Sequence, residues 1–373
     1  MKNYAAAAMA FERVLQLNPR NGRAKLELGY AYFYSNRGKE AKRLFEEVLA
    51  SSPGEKTSDQ INKFLDILAK GDSRLTVSGR ADIAFFLDDN VNIGPKSDVI
   101  DITPIIFGTA IVDQMQLGEE SAPEDDEGFS TYLSVVSVYD VGDRQGWAIG
   151  GDGSFFKNWL NERPDRENVF YRVSSGFAHA GQSSMFRIPL SFAHIISDDD
   201  PLVDIWAVEP GFRKLIDLNN KSFLSTSGSF ELREYDELST RDGYFVSLAE
   251  SYERNLTEKT GISMGLRAGH DHTDQKFYEY TSLEASLGVK MILREGIIAY
   301  ARGSYGGSKY SKREPIAPEK REDDWIKGII GVSFPVKGSL RLDVNHNLTY
   351  NDSTFDIYEY DRSVTTVTAS VAF

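Results

Sequence analysis

The side chains that could do chemistry are few and loosely placed. Two acidic runs come first: Asp198-Asp199-Asp200, and Glu119, Glu120, Glu124, Asp125, Asp126 and Glu127. Hard divalent cations prefer carboxylates, but neither run has the ligand spacing of a calcium loop, and solvated loops account for both. His270 and His272 lie two residues apart with Asp271 between them, so on a strand they would share a face and could seat a metal or serve a hydrolase. No third ligand and no nucleophilic serine motif accompanies them. Gly303, Gly306 and Gly307 fall at the end of a strand-like run, where a bend suits them better than a phosphate-cradling loop before a helix. The 373 residues contain no cysteine, which removes disulfides, thiolate nucleophiles and cysteine-bound zinc. These residues point to no enzyme, no metal site and no cofactor. The function must then rest on the larger elements.

Those elements are mostly strands. From Leu340 to Tyr350 the positions Leu340, Leu342, Val344, Leu348 and Tyr350 are apolar, while Arg341, Asp343, Asn345, Asn347 and Thr349 are polar. A period of two means a strand with one wet face. The last strand repeats it, with Val367, Ala369, Val371 and Phe373 opposite Thr366, Thr368 and Ser370. Fourteen such runs follow one another, at about 73–87, 127–140, 145–158, 167–180, 182–193, 202–213, 221–233, 242–255, 259–272, 278–292, 295–308, 322–335, 338–350 and 363–373. Most reach the roughly 9–11 residues of a tilted membrane strand, whereas no run approaches the roughly 18 apolar residues of a membrane helix. In lipid such strands must close into a barrel, because an open sheet leaves backbone groups unsatisfied. The expected fold is therefore mainly β, a 14-stranded transmembrane antiparallel barrel over 71–373. A soluble sandwich would show the same alternation, but it would need neither such strand lengths nor the loop asymmetry described next.

Longer polar links (88–126, 159–166, 194–201, 234–241, 309–321, 351–362) alternate with tight ones such as Gly142-Asp143-Arg144, Ala180-Gly181, Thr257-Glu258 and Val336-Lys337. Long links outside and short ones in the periplasm are how such barrels are built. The link 88–126 stands apart, and Ile105, Ile106, Phe107, Ile111 and Val112 make part of it apolar, so it is expected to fold over or into the lumen rather than add a strand at the rim. Composition agrees with a barrel: 41% apolar, 12% aromatic, with 31 glycines for turns. The net charge of −14 speaks against a nucleic-acid partner. Inward positions carry charges of both signs, and Arg74, Arg80, Asp82, Arg172, Arg187, Arg267, Glu284, Lys290, Arg341 and Asp343 are expected to line the lumen and to supply ion pairs across it.

Residues 1–70 differ in kind. Ala7, Phe11 and Pro19 recur as Ala41, Phe45 and Pro53, offset by 34 residues, and Leu28, Gly29 and Tyr32 precede the second set. This resembles the tetratricopeptide repeat, in which small residues let two helices approach and proline ends the second. The resemblance places Arg23, Leu26, Tyr30, Phe33 and Tyr34 on a concave side, as candidate cargo-binding residues or, equally, as packing. An even strand number puts both barrel ends on one side, so this small all-α domain is expected in the periplasm. Met1 falls inside a repeat, and an exported barrel needs a leader, so the domain is expected to be truncated at its amino end.

After the first strand comes Asp89-Asn90-Val91-Asn92, within Phe86 to Pro95. Together with the helical repeats, the fourteen strands and the terminal Phe373, it resembles the surface lipoprotein assembly modulator family, which has an Asp-Ser-Asn-Val-Asn-like element in that place; here Asp88-Asp89 stand where Asp-Ser is usual. The resemblance covers nearly the whole chain, except for the missing early repeats. It implies an outer-membrane exporter that helps move surface lipoproteins or secreted haem-binding proteins across the membrane. The partners would be outer-membrane lipid, the cargo and the barrel-assembly machinery, the last reading Phe373 as its signal. The alternative is a passive porin or solute-specific channel, which leaves the repeats without a role.

Overall fold

The structure, a computed structural model, describes residues 4–35, 37–51, 53–72, 74–106, 109–141, 146–219, 221–294 and 296–373. The chain parts into two compact units, Met1–Thr76 and Val77–Phe373.

The first unit holds four helices: α1 (Tyr4–Leu17), α2 (Gly22–Tyr34), α3 (Gly38–Ala50) and α4 (Glu55–Asp72). Asn21 starts α2 by accepting the Ala24 amide at 3.0 Å, which satisfies one of the amides a helix start leaves free. The repeat's small residues allow the close approach of α2 and α3: a Cβ on Gly29 would lie 2.7 Å from the Phe45 ring. Phe45, Ala41 and Ile61 are fully buried in a core shared with Leu28, Tyr32 and Leu44.

The second unit is a closed antiparallel barrel. Its strands are β1 (Leu75–Asp88), β2 (Asp126–Asp140), β3 (Trp147–Leu160), β4 (Asn168–Ala180), β5 (Ser184–Ser197), β6 (Asp200–Val208 and Gly211–Asp217), β7 (Ser222–Tyr235), β8 (Gly243–Asn255), β9 (Thr260–Thr273), β10 (Tyr280–Ile292), β11 (Ile298–Tyr310), β12 (Glu322–Lys337), β13 (Leu340–Ser353) and β14 (Tyr360–Ala372). The two parts of β6 are one strand, since its register against β5 and β7 is the same on both sides of the gap. The gap exists because Pro189 and Pro210 lack the N–H that the ladder needs there. The expected fourteen strands are all present.

The ends close on each other. β1 pairs with β14 from Arg80 opposite Ala372 to Asp88 opposite Val364. Phe373 and Gly79 then exchange two backbone hydrogen bonds, of 3.0 and 2.8 Å. The Phe373 ring lies on Gly79, where a Cβ would have to push the ring aside.

Alternation sorts the wall into two faces. Leu266, Leu283, Leu287 and Ile330 stand exposed on the outside, a surface that water would not tolerate at this extent but lipid does. Aromatic pairs band the same face, among them Phe85–Phe129, Phe155–Tyr171, Phe192–Trp206 and Phe230–Tyr244 near the long-loop end and Trp147–His179 near the other. With no free edge and an apolar exterior, this is an outer-membrane-type barrel.

The links depart from expectation in places. The stretch 194–201 is not a long loop: β5 runs to Ser197, β6 starts at Asp200, and Asp198 and Asp199, with φ of 54° and 61°, form the two-residue turn between them. Two left-handed residues match the twist of a tight hairpin, and aspartate tolerates that conformation, so the acidic triplet serves a turn. Val336 and Lys337 belong to β12, and the turn falls on Gly338-Ser339, with Gly338 at φ 60°. The link expected at 214–220 shortens to 218–221 as β6 continues to Asp217. The turn at Gly142-Asp143-Arg144 lies outside the described residues.

Candidate functional site

The long-loop mouth is where the barrel departs most from a plain cylinder. The link after β1 forms a ribbon, Val99–Ile102 against Asp113–Gln116 and Ile105–Ile106 against Thr109–Ala110, which pairs with itself and not with the wall. Ile100 at its base is fully buried with Ala317 and Phe355, from the links before β12 and β14, and Met115, Leu117, Ile357 and Tyr358 pack around them. Backbone bonds fasten the contact: Thr103 donates to the Ile316 carbonyl at 2.7 Å, and Lys96 donates to that of Glu359 at 2.9 Å. The Lys96 ammonium also pairs with Asp361 at 2.9 Å. The apolar residues expected to drive this folding do not: Ile105, Ile111 and Val112 remain exposed, because the partners sit at the ribbon's base rather than its tip. Phe107 lies outside the described residues.

These loops touch the inner wall through Arg321. Arg321 stacks between Tyr358, with its guanidinium carbon 3.3 Å from the ring centroid, and Tyr310, an inward residue of β11, at 4.5 Å. Arg321 also pairs with Asp323 at 2.7 Å. Tyr358 donates to Glu314 at 3.2 Å. Burial pushes the Tyr358 phenol up to about 12 and raises the Glu314 carboxyl above its usual range.

The motif after β1 sits at the seam. Asp88, almost fully buried, binds Arg362 of β14 through both oxygens. Asp89 accepts the Ser363 amide at 2.6 Å. Asn90, 1% exposed, donates to the carbonyls of Asp361 and Gly94 and accepts the Gly94 amide. Val91 donates to the Glu124 carbonyl, while Asn92 accepts the Glu124 amide and donates to the Ala122 carbonyl. The motif thus ties the top of β1 to β14 and to the returning end of the long link. Its geometry is that of a latch.

On the inner wall, Arg80 pairs with Asp82 two residues along its own strand. Arg172 binds Asp152 and Glu209, Arg213 binds Glu253 at 2.9 Å, and Arg233 binds Glu231 and Asp271. Each of these pairs runs along the wall, within a strand or between strands one or two apart, and among the described residues none crosses the lumen. In place of the pairs expected across the lumen, the described residues show pairs along the wall. Glu284 accepts from the Trp325 indole and Asp343 from the Tyr300 hydroxyl. Arg187, Arg267, Lys290 and Arg341 make no ion pair with a carboxylate among the described residues. Arg74 precedes β1 and is not part of the wall. Inward Arg302 escaped the sequence reading because its neighbours Ala299, Ala301 and Gly303 leave the two faces of β11 hard to tell apart.

In the helical unit, Leu26, Tyr30 and Phe33 pack against the core, with Tyr30 5.3 Å from Phe45 and Phe33 4.8 Å from Phe64 between ring centroids. Arg23 and Tyr34 stay exposed, Tyr34 stacking on Tyr4. His270 and His272 face outward near the mouth, and folding adds the third ligand the sequence did not offer: Glu279 has an oxygen within 4.8 Å of ring nitrogens of both. The Lys276 ammonium bonds Glu279 and lies 3.1 Å from His272, so a fixed cation already fills the place a metal would take.

The tetratricopeptide repeat family model matches residues 1–57. No curated protein matches the chain in sequence. Among solved structures, the chain is similar to a loop-deletion mutant of OmpT, an outer membrane protein of Vibrio cholerae, with a TM-score of 0.44 and 9% identity over 81% of this chain and 100% of that one. The outer membrane channel DcaP of Acinetobacter baumannii gives 0.43 and 10% over 80% and 97%. An outer membrane channel from Pseudomonas putida F1 gives 0.41 and 11% over 80% and 96%. The barrel assignment rests on the chain's own closed sheet.

Proposed function

We propose that this chain is an outer-membrane exporter of the kind the surface lipoprotein assembly modulator family represents, helping a lipoprotein or secreted protein cross the membrane. The observation that supports it best is the joining of a repeat-type helical unit to a closed barrel whose first long link folds into a ribbon packed on the links before β12 and β14. A pore that waits for a polypeptide must be obstructed at rest, or it would leak small solutes. In this reading the long loops face outside, the helical unit lies in the periplasm, and Arg23 and Tyr34, backed by Leu26, Tyr30 and Phe33, meet the cargo. Phe373 serves the barrel-assembly machinery.

A passive channel is the second reading, and one observation favours it: Arg267, Lys290, Arg302 and Lys327 stand exposed along the inner wall, which is therefore wet. Two measurements separate the readings. In planar bilayers the exporter shows little steady conductance, and cells lacking the gene retain a secreted protein in the periplasm. Deleting residues 4–70 abolishes that export while the barrel still inserts. Large, steady, ion-selective conductance with unchanged surface protein would sink the exporter and promote the channel.

A further inference from the structure

Five consecutive strands each turn one cation into the lumen: Arg267 from β9, Lys290 from β10, Arg302 from β11, Lys327 from β12 and Arg341 from β13. Among the described residues no carboxylate pairs with any of them. Arg302 reaches only the Ser286 hydroxyl at 3.0 Å, Arg341 only the hydroxyl and carbonyl of Ser333 and the carbonyl of Gly296, and the Lys327 ammonium lies 5.0 Å from the Trp325 ring. Two carboxylates on this stretch of wall, Glu284 and Asp343, keep their charge but hydrogen-bond to neutral groups, so the five cations outnumber them. Glu284, directly opposite Arg267 in register, accepts from Trp325, and Asp343 accepts from Tyr300 and Asn345.

The rest of the wall is built differently. There Arg80, Arg172, Arg213 and Arg233 each hold a carboxylate, and Arg187 stands alone without one among the described residues rather than in an arc of unpaired cations. In a chain of net charge −14, an arc of five cations without acidic partners is a strong local departure. Like charges on a low-dielectric concave wall reinforce one another's field and draw in the opposite charge. A cavity of about 410 Å³ begins at the edge of this arc and runs back to β6; Lys290, Arg302 and Tyr300 line one side, and Phe223 and Arg213, the latter paired with Glu253, line the other.

We infer that the inner wall from β9 to β13 is an anion-binding surface that engages carboxylate or phosphate groups of whatever occupies the lumen. The assignment holds whether the lumen passes a polypeptide or a solute, so it stands or falls separately from the exporter reading. Two sources share this chemistry: an acidic segment of polypeptide and a small free anion.

The test uses the purified full chain in detergent at low salt, with fluorescently labelled deca-glutamate and deca-lysine read by anisotropy and inorganic pyrophosphate as competitor. Deca-glutamate should bind at least about tenfold more tightly than deca-lysine, and the variant Arg267→Gln/Lys290→Gln/Arg302→Gln/Lys327→Gln should lose about tenfold or more of that binding. Displacement by pyrophosphate would identify a small anion as the occupant, and binding that pyrophosphate leaves untouched would identify an acidic segment; either supports the surface. Heat-modifiable gel mobility reports folding, and if the fourfold variant does not fold, Lys290→Gln/Lys327→Gln, which breaks no hydrogen bond, should still weaken binding about threefold. Equal binding of the two peptides, or a folded variant that binds as the parent does, would overturn the assignment.

Discussion

Asp88 and Arg362 show how much one pair can matter at a seam. Nine residue pairs join β1 to β14, against thirteen between β8 and β9, so at the closing interface side-chain bonds supplement a shorter ladder. The Asp88 side chain is 2% exposed, and removing its partner would leave a buried charge unpaired. Arg362→Met should therefore cost about 3 kcal/mol or more, seen as a lower transition temperature for the folded band on a gel. An unchanged transition would show that the latch is ornamental. Glu314 supplies a pH dependence whose sign follows from its raised pKa. A carboxyl that holds its proton more tightly when packed stabilises packing below its ordinary pKa, and that contribution is lost as pH rises through the raised one. Protease should thus cut the 309–321 link faster at neutral than at acid pH, and Glu314→Gln should flatten the difference.

The mouth ribbon is held by a core of its own, separate from the barrel. Ile100, Ala317 and Phe355 are buried to 0, 0 and 2% exposure, so the ribbon's base is a packed structure rather than a loose strand of chain. Phe355→Ala should cost the cluster about 3–5 kcal/mol, enough to free the ribbon without touching the wall. The barrel should then keep its heat-modifiable mobility, while protease cuts within 99–116 and bilayer conductance rises. Normal closure in this variant would mean that the ribbon is not what obstructs the mouth. The helical unit differs in being closed by contacts among α2, α3 and α4, where Gly29 and Phe45 leave no room for a larger residue.

The barrel as a body closes only when its last strand meets its first. Phe373 completes that meeting twice, by backbone bonds to Gly79 and by laying its ring on it. Deleting Phe373 should lower the amount of protein in the outer membrane and leave aggregate in the periplasm; insertion at the normal level would argue that the ladder from Arg80 to Asp88 is sufficient.

Much of this architecture was legible in the sequence because it is local. Whether a side chain faces lipid or lumen depends on its parity along a strand, so Leu283, Leu287 and Val289 opposite Glu284 and Lys290 declare their faces without any knowledge of the neighbours. The repeat spacing of Ala7, Phe11 and Pro19 is likewise local. What the tertiary structure alone decided are matters of partnership. That Ile100 and not Ile111 is buried follows from Phe355 and Ala317, brought there by other links. That Asn90 is a latch follows from Asp361 across the seam, and that Lys276 occupies the place between His272 and Glu279 follows from how one turn folds. Which lumen cations lack an acid depends on register and on the hydrogen bonds that already claim Glu284 and Asp343. Facing is a property of one strand, whereas pairing belongs to residues far apart in the chain, and only closure of the barrel brings those together.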